Sequence, residues 1–208
     1  MKADFDSTIL HYRKKAVELA ARYESADVTR LQIDLRDAMA RRRNLLELGC
    51  GSGRDAAFLN RVCGSSSLTA TDACPEMLRE AKRIHPEISG ILQELVLPRD
   101  LNPLVRMGTK YSGIYSIATL MHLSEEHIKD TVGLLELMTE PGGVVFLSVC
   151  TEKDELLKGE SECIFTIKPP KWWKKLMETS GFRIIDLKIT PDGLGRQNTS
   201  WLNITAVR

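Results

Sequence analysis

The sequence predicts an α/β fold, a doubly wound sheet of largely parallel strands, and three observations predict it. An apolar run, Asn44-Leu-Leu-Glu-Leu48, passes through three alternating glycines, Gly49, Gly51 and Gly53, straight into the helical pattern of Arg54-Asp-Ala-Ala-Phe-Leu59. A second apolar run, Leu68-Thr-Ala-Thr-Asp72, ends in a carboxylate at the spacing typical of nucleotide-binding βαβ units. Strand-like and helix-like patterns then alternate toward the C-terminus.

Taken in order, the elements begin with two helices outside the alternating unit. Ile9, Tyr12, Ala16, Leu19, Ala20 and Tyr23 recur at helical spacing over 7–24, and Leu31, Leu35, Ala38 and Met39 over 28–42, giving an N-terminal helical cap over residues 1–42. Residues 43–150 hold the alternating core, with helices near 55–62 and 75–84, a third strand near 91–96 and a fourth near 111–117. Ser124 is placed to N-cap the next helix, where Glu125 and Glu126 suit the positive end of the dipole and Ile128, Val132, Leu135 and Met138 form a buried stripe. Glu140-Pro-Gly-Gly143 ends that helix before a fifth strand over 144–149. Residues 151–208 read as a polar, lid-like excursion over 151–162, a helix after Pro169-Pro170, a C-cap at Gly181 and a terminal hairpin of strands 182–189 and 201–207. A single domain accommodates all of this, because 208 residues suffice for one open sheet and fall short of two full domains.

The glycine loop carries the chemistry. Glycines have no Cβ, so a ligand can lie against bare backbone and meet the first N–H groups of the helix beyond. Asp72, closing the second strand, is placed to accept ribose hydroxyls, and with the loop it implies an adenosine-bearing ligand. Glu47 at the end of the first strand either orients the loop's N–H groups or approaches a ligand ammonium. Asp55 favours the helix N-terminus electrostatically and Arg54 beside it is expected in solvent, both bordering the pocket. A pyrophosphate fingerprint needs its third glycine at position 54, where this chain has Arg54, which disfavours a nicotinamide-dependent oxidoreductase.

The order Glu47-x-Gly49-x-Gly51-x-Gly53 instead resembles the first motif of the class I S-adenosylmethionine-dependent methyltransferases. Asp72-Ala-Cys-Pro-Glu-Met-Leu-Arg-Glu-Ala81 resembles the helix that follows their ribose acid, with Cys74 where Ser is usual, and Leu120-Met-His122 and Glu140-Pro-Gly-Gly-Val-Val-Phe146 are similar to their fourth-strand and fifth-strand signatures. The resemblance covers residues 44–149. It implies a Rossmann-like seven-stranded sheet with an antiparallel C-terminal strand, S-adenosylmethionine as cofactor and S-adenosylhomocysteine as product. The cofactor contacts it implies are Glu47, Gly49, Gly51 and Gly53 at the amino-acid end and Asp72 and Ala73 at the ribose; position at the carboxyl ends of the third and fourth strands adds Glu94 and Leu95 beside the adenine, with Gln93 a neighbour, and Ser116 and Ile117 at the sulfonium or methionyl part. Tyr12 would close over the ligand from the cap. For Leu95, Ile117 and Tyr12, core packing is the competing role. Tyr12 with Ala16, Gly51-Ser-Gly-Arg-Asp55, Leu120-Met-His122, Gly195-Arg196 and Trp201-Leu-Asn203 together look like a bacterial subgroup of small stand-alone methyltransferases described as tellurite-resistance-like. This chain departs from the subgroup at Val149-Cys150, where Phe-Lys is usual, and the subgroup implies no particular acceptor.

Methyl transfer from a sulfonium depends mainly on positioning, and a base is needed only where the acceptor must lose a proton. His122 is the candidate base, since imidazole titrates near neutral pH, with loop packing as its competing role. His11, His85 and His127 read as surface. The fourth strand lacks the Pro-Pro-Tyr type of ending used on nucleic-acid bases, no Pro-Cys nucleophile is present, and a net charge of +1 gives no electrostatic footprint for nucleic acid. Arg41-Arg-Arg43 reads as cations at a helix C-terminus. No run is long and apolar enough for a membrane span or a signal core, and five cysteines without Cys-x-x-Cys indicate neither a disulfide framework nor a metal site. The expectation is a cytoplasmic enzyme, monomer or homodimer, that methylates an O, N, S or chalcogen nucleophile of a small molecule. A non-catalytic S-adenosylmethionine-binding module and a methyltransferase acting on a macromolecule are the alternatives.

Overall fold

The computed structural model describes residues 5–63, 67–152 and 163–208. Within them lie α1 (Phe5–Glu24), α2 (Thr29–Met39), β1 (Asn44–Leu48), α3 (Arg54–Val62), β2 (Ser67–Asp72), α4 (Pro75–Ile84), β3 (Leu92–Glu94), α5 (Leu101–Arg106), β4 (Tyr111–Ile117), α6 (Glu125–Met138), β5 (Thr139–Glu152), α7 (Pro170–Thr179), β6 (Arg183–Pro191) and β7 (Ser200–Val207). The strands form one seven-stranded sheet in the order β3-β2-β1-β4-β5-β7-β6. β1 to β5 pair in parallel, and β7 inserts antiparallel between β5 and β6. The fold is the Rossmann-like sheet with an antiparallel last strand that the sequence implies.

Side-chain alternation on the strands divides the interior into two cores. Leu46, Leu48, Ile114, Val145, Leu147 and Val149 face α6 and α7, where Val132, Leu135, Trp173 and Met177 cover them. Leu45, Tyr115, Val144 and Phe146 face the opposite side, against Leu35 and Met39 of α2 and Leu59 of α3. Burying a residue such as Leu45 or Leu46 completely removes its side chain from water, worth ~1.5–3 kcal/mol each. A third, smaller cluster seats the cap: Ala16, Leu19 and Ala20 of α1 pack on Cys74 and Met77 at the start of α4. α1 is kinked at Lys15, whose φ and ψ are −118° and 18°.

Several boundaries differ from expectation for physical reasons. The second helix stops at Met39, with Arg41 in the left-handed region, so the run Arg41-Arg-Arg43 lies beyond the helix, and Arg42 reaches across to the carbonyl of Gly142. The third strand is only Leu92–Glu94, because a 3-10 turn (Pro86–Ile91) consumes the residues before it. β5 starts at Thr139, and Glu140-Pro-Gly-Gly143 forms an irregularity in its pairing with β4 between Tyr111 and Gly113. α5 was not apparent from periodicity. The N-cap at Ser124 is present, its hydroxyl accepting the His127 N–H at 3.2 Å. Of the expected lid-like excursion, Thr151 and Glu152 end β5 and the remainder lies outside the described residues.

Candidate functional site

The strand order reverses between β1 and β4, and ligands of open α/β sheets bind in the crevice at such a switch point, outside the carboxyl ends of the strands. A cavity of about 980 Å³ lies there. Its floor is the loop from β1 into α3. Gly49 N–H and Cys50 N–H both donate to the Thr71 carbonyl, at 2.8 and 2.7 Å, which ties the loop to β2. Gly49 has φ 76°, and a Cβ there would collide with the Thr119 side chain. Gly53 has φ 82°, caps α3, and leaves no room for a Cβ beside Ile88 Cδ1 at 2.7 Å and Ala81. Only glycine satisfies both the backbone sign and the close approach.

Two carboxylates stand at the strand tips. Asp72 Oδ2 accepts the Gly51 N–H and Oδ1 the Cys74 N–H, both at 2.9 Å. Burial pushes the Asp72 pKa up, and the N–H donors of Cys74, Gly51 and Ala73 oppose that rise. Glu47 is buried, lines the cavity, and its Oε2 has no hydrogen-bond partner among the described residues. Burial, reinforced by the charge of Asp55, holds its pKa well above the ordinary carboxylate range. An unsatisfied buried carboxyl oxygen is costly, so its place on the cavity wall marks where a cationic or donor group of a ligand gains most.

The roof comes from the cap. Arg54 pairs with Asp55 (2.7 Å) and donates to the Tyr23 carbonyl at the end of α1 (2.7 Å), while Asp55 accepts Gln32 from α2 (3.1 Å). The first turn of α3 is thereby tied to both cap helices. Tyr23 donates to Tyr12 (3.1 Å), the Tyr12 hydroxyl lies 3.1 Å from His122 Nε2, and His122 Nδ1 lies 3.0 Å from the Ile164 carbonyl. A carbonyl can only accept, so Nδ1 carries the proton and Nε2 accepts from Tyr12. Burial, with Tyr23 beside it, holds the Tyr12 pKa well above normal, so its phenol remains a neutral donor. The strap after residue 162 closes this corner: Ile164 N–H meets Thr8 Oγ1 (2.9 Å), Thr166 binds the carbonyls of Met121 and Leu123, and Phe165 stacks edgewise on His122.

The β6–β7 loop forms the remaining wall. The buried Asp192 carboxylate gathers Arg196 Nε (3.0 Å) and Nη2 (2.6 Å), Trp201 Nε1 (2.9 Å) and the N–H groups of Leu194 and Arg196, which hold its pKa down at about 2 against burial. Gly193 accepts the Asp27 N–H (2.9 Å), and a Cβ on it would sit 2.5 Å from the Asp27 carbonyl, joining this loop to the α1–α2 turn.

Of the residues singled out in the sequence, Tyr12, Glu47, Gly49, Gly51, Asp72, Ala73, Leu95, Ile117 and His122 line the one cavity. Glu94 and Ser116 do not: Glu94 is exposed at the end of a three-residue strand, and Ser116 is buried with its hydroxyl donating to the Leu48 carbonyl at 3.0 Å. Gly53 serves the turn rather than the wall. Arg54 is not in solvent, and Asp55 is a buried ion-pair partner rather than a helix-end charge alone. His11 lines the cavity, and His85 bridges Glu24 (3.1 Å) and Glu87 (3.7 Å), so neither is a plain surface residue. Thr119, Phe165, Asp192 and Trp201 also line the cavity without having been proposed as site residues. Among the described residues, no group of His, Cys, Asp and Glu could hold a metal ion, and no helix is long and apolar enough to cross a membrane.

The fold and its acid-and-glycine crevice define a nucleoside-cofactor α/β protein. A family model described as "Methyltransferase domain" matches residues 45–143, so the alternating core from β1 to the start of β5 is similar to that domain. Among solved structures the chain is similar to the Burkholderia thailandensis 1,6-didemethyltoxoflavin-N1-methyltransferase with bound 1,6-didemethyltoxoflavin and S-adenosylhomocysteine (TM-score 0.72, 17% identity, 98% of this chain and 88% of that one). It is also similar to the magnesium protoporphyrin IX methyltransferase of Synechocystis PCC 6803 with bound S-adenosylhomocysteine (0.66, 16%, 93% and 86%) and to TehB of Haemophilus influenzae (0.63, 16%, 85% and 61%). At these identities the likeness establishes the fold. No curated protein matches the chain in sequence. The methyl donor of the family is S-adenosylmethionine.

Proposed function

We propose that residues 1–208 act as one domain that transfers the methyl group of S-adenosylmethionine to a small-molecule acceptor. The observation that carries this reading is the convergence of Glu47, the Gly49–Gly51 loop and Asp72 on a single cavity that α1 and the β6–β7 loop roof over. At about 980 Å³ it stands at the upper end of the range for small-ligand pockets, which suits a nucleoside cofactor together with an acceptor. Asp72 is the ribose acceptor in this reading, Glu47 faces the ligand's ammonium, and Ala73 and Leu95 border the base. Bound S-adenosylmethionine would supply an electrophilic methyl on a positive sulfur. The protein's part is then to align the acceptor and exclude water, which the roof of Tyr12, Tyr23 and Phe165 favours. A roofed cavity suits a compact acceptor better than a polymer, and the small-molecule neighbour with bound 1,6-didemethyltoxoflavin supports the same class.

Calorimetry with S-adenosylhomocysteine, S-adenosylmethionine and NAD tests the cofactor, and release of labelled methyl across a panel of small acceptors tests transfer. Tight binding of NAD without heat from either sulfur nucleoside would sink the reading. Cofactor binding without turnover on any acceptor would favour a non-catalytic binding module.

A further inference from the structure

We propose that the acceptor is an anion at neutral pH, a carboxylate or another ionised oxygen or sulfur acid on an apolar body, and that Arg196 receives its charge. This rests on the methyltransferase reading and names the acceptor class within it. Arg196 lines the cavity from the β6–β7 loop. Asp192 engages its Nε and Nη2 in a fork-like pair, and Asp192 is itself fixed by Trp201 and two backbone N–H groups. A guanidinium held in this way is preorganised, and among the described residues its Nη1 edge is left for another acceptor.

Charge within the cavity is divided. Glu47 and Asp72 sit at the strand tips, and the Arg54–Asp55 and Arg196–Asp192 pairs each neutralise themselves. On the cap side Lys15 and Arg22 stand with Glu18 and Asp27, Arg30 pairs with Asp34 (3.5 Å), and the Arg196–Asp192 pair is on the adjoining wall. A negative group gains more at the Nη1 donor edge of Arg196 than beside the unpaired acids at the strand tips. The imidazole of His122 points the same way. Both ring nitrogens are engaged, Nε2 by Tyr12 and Nδ1 by the Ile164 carbonyl, so an acceptor that had to lose a proton would have to displace a formed hydrogen bond. An acceptor already ionised needs no base. Its lone pair forms the bond to the donor methyl carbon, the sulfur–carbon bond breaks with its electron pair returning to sulfur, and the negative and positive charges cancel with no proton transferred. Phe165 and Trp201 on the same walls provide apolar and aromatic surface for the rest of the molecule.

The test is a calorimetric titration of benzoate, benzamide and benzylamine, probes of one shape and three charges, into the free and the S-adenosylhomocysteine-loaded protein. Benzoate is expected to bind about tenfold or more tightly than benzamide, the scale of one charge-assisted contact, and benzylamine most weakly. Arg196→Gln should bring benzoate and benzamide to within about twofold of each other, while Arg196→Lys keeps part of the preference, with thermal melts and S-adenosylhomocysteine affinity measured on both variants to separate loss of the charge contact from loosening of the loop. Binding of benzamide or benzylamine as tight as benzoate, no binding by any of the three, or an unchanged preference in Arg196→Gln would overturn the proposal. Failure of S-adenosylhomocysteine to bind the parent protein would overturn the methyltransferase reading instead, and the titrations on free protein separate the two.

Discussion

The carboxylate of Asp72 accepts the backbone N–H of Gly51 at 2.9 Å, so the acid at the tip of β2 shapes the glycine loop before any ligand arrives. Its other oxygen holds Cys74 N–H at the entrance to α4, and β1 and β2 are parallel neighbours. One side chain thus sets the spacing between the loop, the tip of β2 and the helix on which the cap rests. Each carboxylate oxygen retains a further lone pair for a hydroxyl.

Replacing Asp72 by Ala is expected to weaken S-adenosylhomocysteine binding by roughly ten- to a hundredfold, from ~1.5–3 kcal/mol for hydrogen bonds to a charged group. The Gly51 amide, losing its acceptor, should exchange with deuterium faster in the ligand-free variant. Undiminished affinity in a folded Asp72→Ala protein would remove Asp72 from the ribose role, and unchanged Gly51 exchange would remove it from the loop.

Glu47→Gln is expected to stabilise the ligand-free protein while weakening the cofactor. The Glu47 pKa is raised in the fold by burial, so its ionisation costs nothing below the ordinary carboxylate range, and the penalty grows as pH rises toward the folded value. Parent and variant should therefore melt together near pH 4 and separate with increasing pH. Sparing the buried carboxyl its ionisation, taken as ~1–2 kcal/mol for an unpartnered polar group, corresponds to a rise of ~2–8 °C at pH 8 in a chain of this size. Thermal melts at pH 4, 6 and 8 check this, and a variant no more stable than the parent at pH 8 would contradict it.

Periodicity reports local backbone and burial, and that is why the crevice could be read before its surroundings. Gly49, Gly51, Gly53 and Asp72 act where the chain places them, at the ends of strands whose apolar runs are visible. Glu94 and Ser116 were assigned by position on strands, yet β3 is too short to carry Glu94 to the cavity wall and the Ser116 hydroxyl is taken by a neighbouring strand's carbonyl. α5, six residues with Pro103 in its first turn, is too short for a helical repeat to register. Arg54 looked solvated because its partner is the backbone carbonyl of Tyr23, which no side-chain pattern announces. Asp192 gave no signal for the same reason: its worth lies in donors brought together by the β6–β7 turn.

Arg54 supplies a third prediction. Its ion pair with Asp55 is largely buried, and removing one partner strands the other, so Arg54→Ala is expected to cost about 3 kcal/mol, the lower end for such pairs. The double variant Arg54→Ala with Asp55→Ala should recover part of that loss, since no charge is then left unpaired. Urea unfolding of Arg54→Ala, Asp55→Ala and the double variant measures both terms. A double variant as unstable as the sum of the single ones would mean that Arg54 acts only through the Tyr23 carbonyl.

The last prediction concerns acid. Asp192 titrates at about 2 in the fold, below the ordinary aspartate range, because Arg196, Trp201 and backbone N–H groups favour its charged form. A depressed pKa contributes stability that is fully present above the unfolded value near 4 and is lost as pH falls through the folded one, so the window is pH ~4 to ~2. Asp192→Asn should be less stable than the parent at pH 7, and the difference should shrink across that window as the parent's carboxylate protonates. Within the same window the joint between Gly193 and Asp27 should loosen, since Asp192 fixes the turn that carries Gly193. Deuterium exchange at the Asp27 amide, followed at pH 5 and pH 2.5 in both proteins, reads this directly. Equal acid sensitivity of parent and Asp192→Asn over pH 4 to 2 would show that Asp192 is not what latches the β6–β7 loop over the cavity.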